Sequence, residues 1–466
     1  MMRYNQWDFG WRNGGNGLMH QVAAEAAVSP GWQAVAAAGV FLAVYAVLIT
    51  DKMSRAAAAL AGAVILALLG AIGLEDAYGE HILWRMLFLL AGMMVLTGMA
   101  SRTGLVQYAA LKAVQRLKAC PRKMLAVLTV AAAIASALLD QVTAVLLLVP
   151  LTLSTARMLK VDPAPYLIAV IIAVNVGGTA TMTGTLPNLM VAGANPRLSY
   201  SDFLLHAGLI SLLVLILTVV LLQHLYRGKL NAGKAERKEL LAVNAAAFVK
   251  DRPLAVRTAI AFALTLAGFV LHEPLSEWTG VRIEAAAVAL AGATLLMLAG
   301  PRSQSADEVL DAIDWRTVVF FTGLFAVVGA LAETGVIARL ATMALQLAHG
   351  DIGYLSMLAL WLAGIVSAAT DSTPFVAAML PLLAELAAQM ETADPAALDP
   401  VWWSLALGAS FGGGGTLTGA AANVVAAGMA ARDGEKLSYA EYLKIGAPVT
   451  LLALAVSAAY VVLFLL

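Results

Sequence analysis

Two aspartates lie inside apolar stretches, and the residues around them occur twice. Asp140 stands in Leu138-Leu139-Asp140-Gln141-Val142-Thr143, and Asp371 in Ala369-Thr370-Asp371-Ser372-Thr373-Pro374. A carboxylate surrounded by hydrocarbon is costly and by default marks an ion or substrate path. Held away from water it favours its protonated form, so either aspartate could carry a proton and release it on exposure. Aspartate also caps helix N-termini, and capping is compatible with transport.

Downstream of each aspartate comes a run of small and polar residues. The first holds Asn175, Gly177, Gly178, Thr179, Thr181, Thr183, Gly184, Thr185, Pro187 and Asn188. The second holds Ser410, Gly412, Gly413, Gly414, Gly415, Thr416, Thr418, Gly419 and Asn423. Glycine and proline interrupt a helix. The freed backbone groups, in low-dielectric surroundings, must meet a ligand, water or a side chain. Close helix packing explains many isolated glycine runs. Two copies that also carry threonine and asparagine point instead to a binding site.

The duplication has a register. Trp84, Thr103, Ser136, Asp140 and Pro150 return as Trp315, Thr334, Ser367, Asp371 and Pro381, each 231 positions on. The Gly/Thr/Asn run returns 235 positions on, Asn188 as Asn423. A paired repeat with helix breakers in a hydrophobic chain points to a transporter's central site. No Lys or Arg lies at either aspartate tip or in either broken segment. The expected site therefore disfavours anions, unless half-helix N-termini offset the carboxylates. Cations, protons and neutral hydroxylated solutes are favoured.

The elements that position these residues follow from composition. Of 466 residues 61% are hydrophobic and 12% charged, against roughly a quarter charged in soluble domains. This is an all-α polytopic membrane protein in contact with the lipid bilayer. Zero net charge gives no reason to expect nucleic acid. One cysteine, Cys120, excludes an internal disulfide framework and an all-thiolate metal site. The methionines read as packing, with Met182 the one inside a broken segment, and the histidines form no ligand cluster.

Full spans are expected at 33–50, 55–73, 84–100, 202–226, 254–271, 284–300, 315–331 and 442–466, with broken helices at 163–195 and 401–428. Segments 123–158 and 354–390 are too long for one crossing and polar in the middle. They read as re-entrant hairpins with Asp140 and Asp371 at their tips. Segments 104–118 and 335–348 read as amphipathic helices along the interface. The organisation is a tail at 1–32, a first repeat at 33–226, a basic linker at 227–253 and a second repeat at 254–466. Eight Lys/Arg between Arg227 and Arg257 make the linker cytoplasmic by the positive-inside rule, with both termini outside. Each half has five crossings, the broken helix counted among them, and one hairpin. Five is odd, so the halves run in opposite directions as an inverted repeat.

At these motifs the chain resembles the ion transporter superfamily, in the branch of ArsB-type arsenite permeases, NhaD-type sodium/proton antiporters and the P protein, with its citrate-transporter-like domain. The stretch from Gly412 to Val425 is the most specific likeness, to the second broken helix of that branch. Asp371-Ser372-Thr373-Pro374-Phe375 and Asp140-Gln141-Val142-Thr143 resemble its hairpin tips. One departure stands out: Gly184-Thr185-Leu186-Pro187-Asn188 replaces the family's Gly-Asp-Pro-Pro-Asn, so the acid is lost. That weakens a sodium reading and suits a neutral polyhydroxy solute. The resemblance implies a scaffold, a moving transport domain and a homodimer through the scaffold helices. An energising ATPase subunit is a further possible partner.

The expectation is a secondary active transporter of the inner membrane, proton-coupled, with arsenite or antimonite efflux as the leading substrate. A sodium (cation)/proton antiporter is the alternative, and a dicarboxylate or other organic anion symporter the third reading. A channel or a non-transporting sensor would come from a different class. No nucleophile–base pair suggests an enzyme, and no cofactor is expected beyond a coupling proton or sodium. Asp140, Gln141, Thr143, Asp371, Ser372 and Thr373 at the tips, with the Thr, Asn and Ser of both broken segments, are the expected site.

Overall fold

The computed structural model describes residues 31–50, 53–227, 230, 233–249, 251–299, 309–390 and 395–466. Nearly all of the expected N-terminal tail, together with Lys52, Lys229, Lys250 and part of the acidic 391–399 stretch, lies outside these residues. Among the described residues the fold is helical without strands, and nine helices are long and apolar enough to cross a membrane.

Each half opens with two helices. These are α1 (Gly31–Thr50) and α2 (Arg55–Leu68), then α11 (Arg252–Thr279) and α12 (Ala285–Ala299). The repeat proper then runs in the same order twice. In the first copy it is α3 (Trp84–Arg102), α4 (Leu105–Arg116), hairpin α5 (Pro121–Leu138) and α6 (Gln141–Met158), broken helix α7 (Ala164–Thr179) and α8 (Leu186–Ala194), and α9 (Tyr200–Leu225). In the second it is α13 (Trp315–Glu333), α14 (Val336–Ala348), hairpin α15 (Ile352–Ala369) and α16 (Ser372–Gln389), broken helix α17 (Asp399–Gly412) and α18 (Ala421–Arg432), and α19 (Tyr439–Tyr460). The linker carries a helix of its own, α10 (Lys234–Ala242), whose C-terminal carbonyls at Leu240 and Val243 accept from Gln115 at 3.2 and 2.7 Å. Gly104 and Gly335 open α4 and α14 at φ +71° and +73°, a left-handed turn that glycine adopts without steric cost.

Packing crosses between the halves. Helix α2 packs on α13 and α12 on α3. Glycine sets both distances: a Cβ on Gly92 would lie 2.8 Å from the Ala289 backbone, and one on Gly323 would lie 2.7 Å from that of Ala59. Backbones that approach this closely are how membrane helices gain contact without a hydrophobic drive. The hairpins and broken helices form a second body. Each first arm packs on its own broken helix, α5 on α7 and α15 on α17. Each half-helix after the break packs on the other repeat's second arm, α8 on α16 and α18 on α6. The inverted repeat therefore interlocks.

The hairpin arms are long enough to span, yet each pair reverses at its tip. Two residues, 139–140, join α5 to α6, and two, 370–371, join α15 to α16. Thr181 Oγ1 donates to Ala137 O at 2.6 Å and Thr416 Oγ1 donates to Ala368 O at 2.6 Å, so each tip is tied to a helix break.

The expectation that no cation stands at either aspartate tip needs one correction. Arg55 is the first residue of α2 and pairs with Asp371 at 2.5 Å. Helix α2 has 14 residues, about 21 Å at 1.5 Å each, against a hydrocarbon core of about 30 Å. A helix this short does not match the core thickness by itself, and the cation at its start reaches a hairpin tip.

Candidate functional site

The site is built where the two broken helices face each other. The first break spans 180–185 and the second 413–420. Gly177 is required because a Cβ there would lie 2.1 Å from Ala133 O on α5. Its counterpart Gly412 would meet Gly364 O at 2.5 Å. Across the breaks, Gly184 would meet Gly178 O at 2.4 Å and Gly419 would meet Gly413 O at 2.7 Å. Gly414 and Gly415 lie in the same turn, where Tyr442 donates to Gly414 O at 2.7 Å. Sequence reasoning missed Tyr442, and the repeat could not have revealed it: the matching position, 235 residues earlier, is Ala207.

Two asparagines close the loops. Asn188 donates to Thr179 O at 3.0 Å and Thr181 O at 2.9 Å. Asn423 donates to Gly413 O at 2.9 Å and Thr416 O at 2.8 Å. Their carbonyl oxygens then reach across the pseudo-twofold axis. Asn423 Oδ1 accepts from Asn175 Nδ2 at 2.7 Å, and Asn188 Oδ1 accepts from Ser410 Oγ at 2.8 Å. Thr185 caps α8 and meets Ser410 Oγ at 2.9 Å. Gln141 Nε2 reaches Asn175 Oδ1 at 3.4 Å, linking the first tip to this cluster. Thr179 donates back to Asn175 O at 2.9 Å.

Every one of these groups except Gln141 and Thr416 is buried, and none is charged. Thr183 Oγ1 is buried without a partner. An unpartnered hydroxyl in such a place is an open hydrogen-bonding position. Met182 is buried beside it. Thr418 stands apart: it is exposed and meets Thr416 Oγ1 at 3.2 Å.

The aspartates cap the second hairpin arms. Asp140 accepts from Thr143 N at 2.8 Å and Asp371 from Thr373 N at 2.9 Å. Ser372 and Thr373 are buried in the first turn of α16. Beyond the cap the two differ, since Asp371 is neutralised by Arg55. A neutral, duplicated cluster between two carboxylate-capped tips has the hydrogen-bonding groups to coordinate a small polar solute. Among the described residues no group of three His, Cys, Asp or Glu could hold a metal.

Comparison with known proteins fits this arrangement. The model of the citrate transporter family matches residues 45–408. The chain belongs to that family, within the ion transporter superfamily. It is 37% identical to an uncharacterized transporter of Mycobacterium tuberculosis, over 91% of this chain and 97% of that protein. It is 28% identical to the P protein of Mus musculus, over 92% of this chain and 60% of that one. The solved YdaH transporter of Alcanivorax borkumensis shares the fold at 15% identity and a TM-score of 0.56, covering 86% of this chain and 88% of that one. This citrate transporter family member is a polytopic membrane transporter, and it is not an enzyme.

Proposed function

We propose that the protein is a proton-coupled secondary active transporter of the inner membrane, with both termini outside, that exports an uncharged metalloid hydroxide such as arsenite or antimonite. The observation that carries this reading is the buried amide and hydroxyl cluster of Asn175, Thr183, Thr185, Asn188, Ser410 and Asn423, which holds no charged side chain. A solute that presents only hydroxyls exchanges hydrogen bonds with such a cluster and leaves no buried charge uncompensated. Thr183 Oγ1 offers a free position, and the 3.4 Å contact from Gln141 to Asn175 is the weakest bond to displace.

Coupling falls to Asp140. It forms no ion pair among the described residues, whereas Asp371 already has a guanidinium beside it. A carboxylate without a cation is the one whose charge a proton would cancel as the tip moves between media.

One observation favours a second reading. Arg55 removes the argument that both tips repel anions, and the family model is that of a citrate transporter. An organic anion would need the guanidinium released from Asp371. Purified protein in liposomes decides between them: arsenite, citrate and sodium are offered in turn under imposed proton gradients. Arsenite accumulation without citrate uptake supports the first reading. Citrate uptake or sodium-driven proton movement in its place overturns it.

A further inference from the structure

The two hairpin tips, alike in sequence, have unlike surroundings. The first tip, at Leu138 and Leu139, borders an apolar groove of about 720 Å³ between it, α4 and α11. The second tip, at Thr370 and Asp371, borders a space of about 10 Å³ closed by Tyr45, Leu48, Ile49 and Arg55 of the scaffold. Arg55 supplies the polar contact that closes it, at 2.5 Å from Asp371. Continuing the 231-residue register, α12 has Ala286 where α2 has Arg55, so the first tip has no matching cation.

The remaining ion pairs between described residues lie elsewhere. Arg85–Glu284 and His81–Glu333 join scaffold helices to one another or to their loops. Arg157–Asp433 and Arg197–Asp399 join the two repeats within the hairpin and broken-helix body. Lys160–Glu236 ties that body to the linker helix. Arg55–Asp371 instead joins the tip of a hairpin to the scaffold.

We propose that the Arg55–Asp371 ion pair is a latch that holds the second hairpin tip closed against α1 and α2 in one state of the transport cycle and parts in the other. Arg55 is a positioning residue: it sets where the tip rests. The pair is half in reach of solvent, at 39% and 17% side-chain exposure. Its contribution is modest, as a reversible contact requires. This inference rests on the transport cycle of the proposed function, in which a hairpin tip moves, though not on the identity of the solute.

The test uses a Cys120→Ser background with one reporter, Thr370→Cys, beside the pair. Labelling by a membrane-impermeant maleimide reads how often the tip opens. Arg55→Gln is expected to speed labelling about fivefold, and Arg55→Glu combined with Asp371→Arg to slow it again. Equal labelling with and without Arg55→Gln would overturn the latch. Leu48→Cys with Pro374→Cys leaves the pair intact. Bridging these two by a short bifunctional thiol reagent is expected to stop transport until reductant is added, and unimpeded transport in the bridged protein overturns the latch. If the unbridged protein moves no solute, that counts against the proposed function, and labelling still decides the latch.

Discussion

Asn175 and Asn423, 248 residues apart, share one buried hydrogen bond of 2.7 Å, and Ser410 and Asn188 repeat it at 2.8 Å. The donors stand at matching places before the two breaks, and the acceptors at matching places after them. Each asparagine therefore seals its own unwound loop with its amide and holds the other repeat with its oxygen. Packing alone would not require this crossed pattern. It makes the two broken helices one site.

Replacing either sealing asparagine should damage both fold and transport. Asn188→Ala leaves the Thr179 and Thr181 carbonyls without their side-chain partner, and Asn423→Ala does the same at Gly413 and Thr416. A buried group left unpaired costs about 1–3 kcal/mol. The thermal unfolding midpoint in detergent should fall in both variants, with Thr418→Ala unchanged as the exposed control.

Glycine substitutions should divide by their surroundings. Gly177→Ala and Gly412→Ala drive a methyl group into backbone carbonyls at 2.1 and 2.5 Å and should abolish a folded product. Gly428→Ala, in α18 with nothing within 4 Å, should gain about 0.5–1 kcal/mol from helix propensity. Size-exclusion profiles and unfolding midpoints of the three variants check this.

The cap and the charge of Asp140 can be separated. Asparagine caps nearly as well as aspartate, while alanine costs about 1 kcal/mol at a cap. Asp140→Asn should retain the wild-type unfolding midpoint, whereas Asp140→Ala should lower it. A fall of equal size in both would mean that the charge itself holds the tip.

Cys120 precedes α5 at its cap position and makes no side-chain capping bond. Cys120→Ala should leave arsenite flux and stability unchanged. Loss of metalloid flux in that variant would assign the thiol a role as ligand.

Much of the fold was legible because the repeat carries its own register. Asp140 with Asp371, and Asn188 with Asn423, mark matching hairpins and breaks, and odd crossings in each half invert them. The site was legible as a set of residues, but not as a network. Nothing in the spacing says that Asn423 bonds to Asn175 as well as within its own loop, because that contact arises only when the halves interlock. Arg55 was missed as a partner of the second tip for a different reason. Its separation of 316 residues from Asp371 has no local signal, and its place at the first residue of the 14-residue α2 says nothing of which tip it meets. Tyr442 escaped because the contact it makes has no copy in the first repeat.

The central claim is that a neutral site moves its solute together with a proton released at Asp140. Purified protein in liposomes, loaded with a pH-sensitive dye and given arsenite under an imposed proton gradient, reads both fluxes at once. The account predicts that arsenite accumulates beyond equilibrium with matching proton movement, and that Asp140→Asn equilibrates arsenite without it. Proton-coupled accumulation that survives in Asp140→Asn would contradict the account.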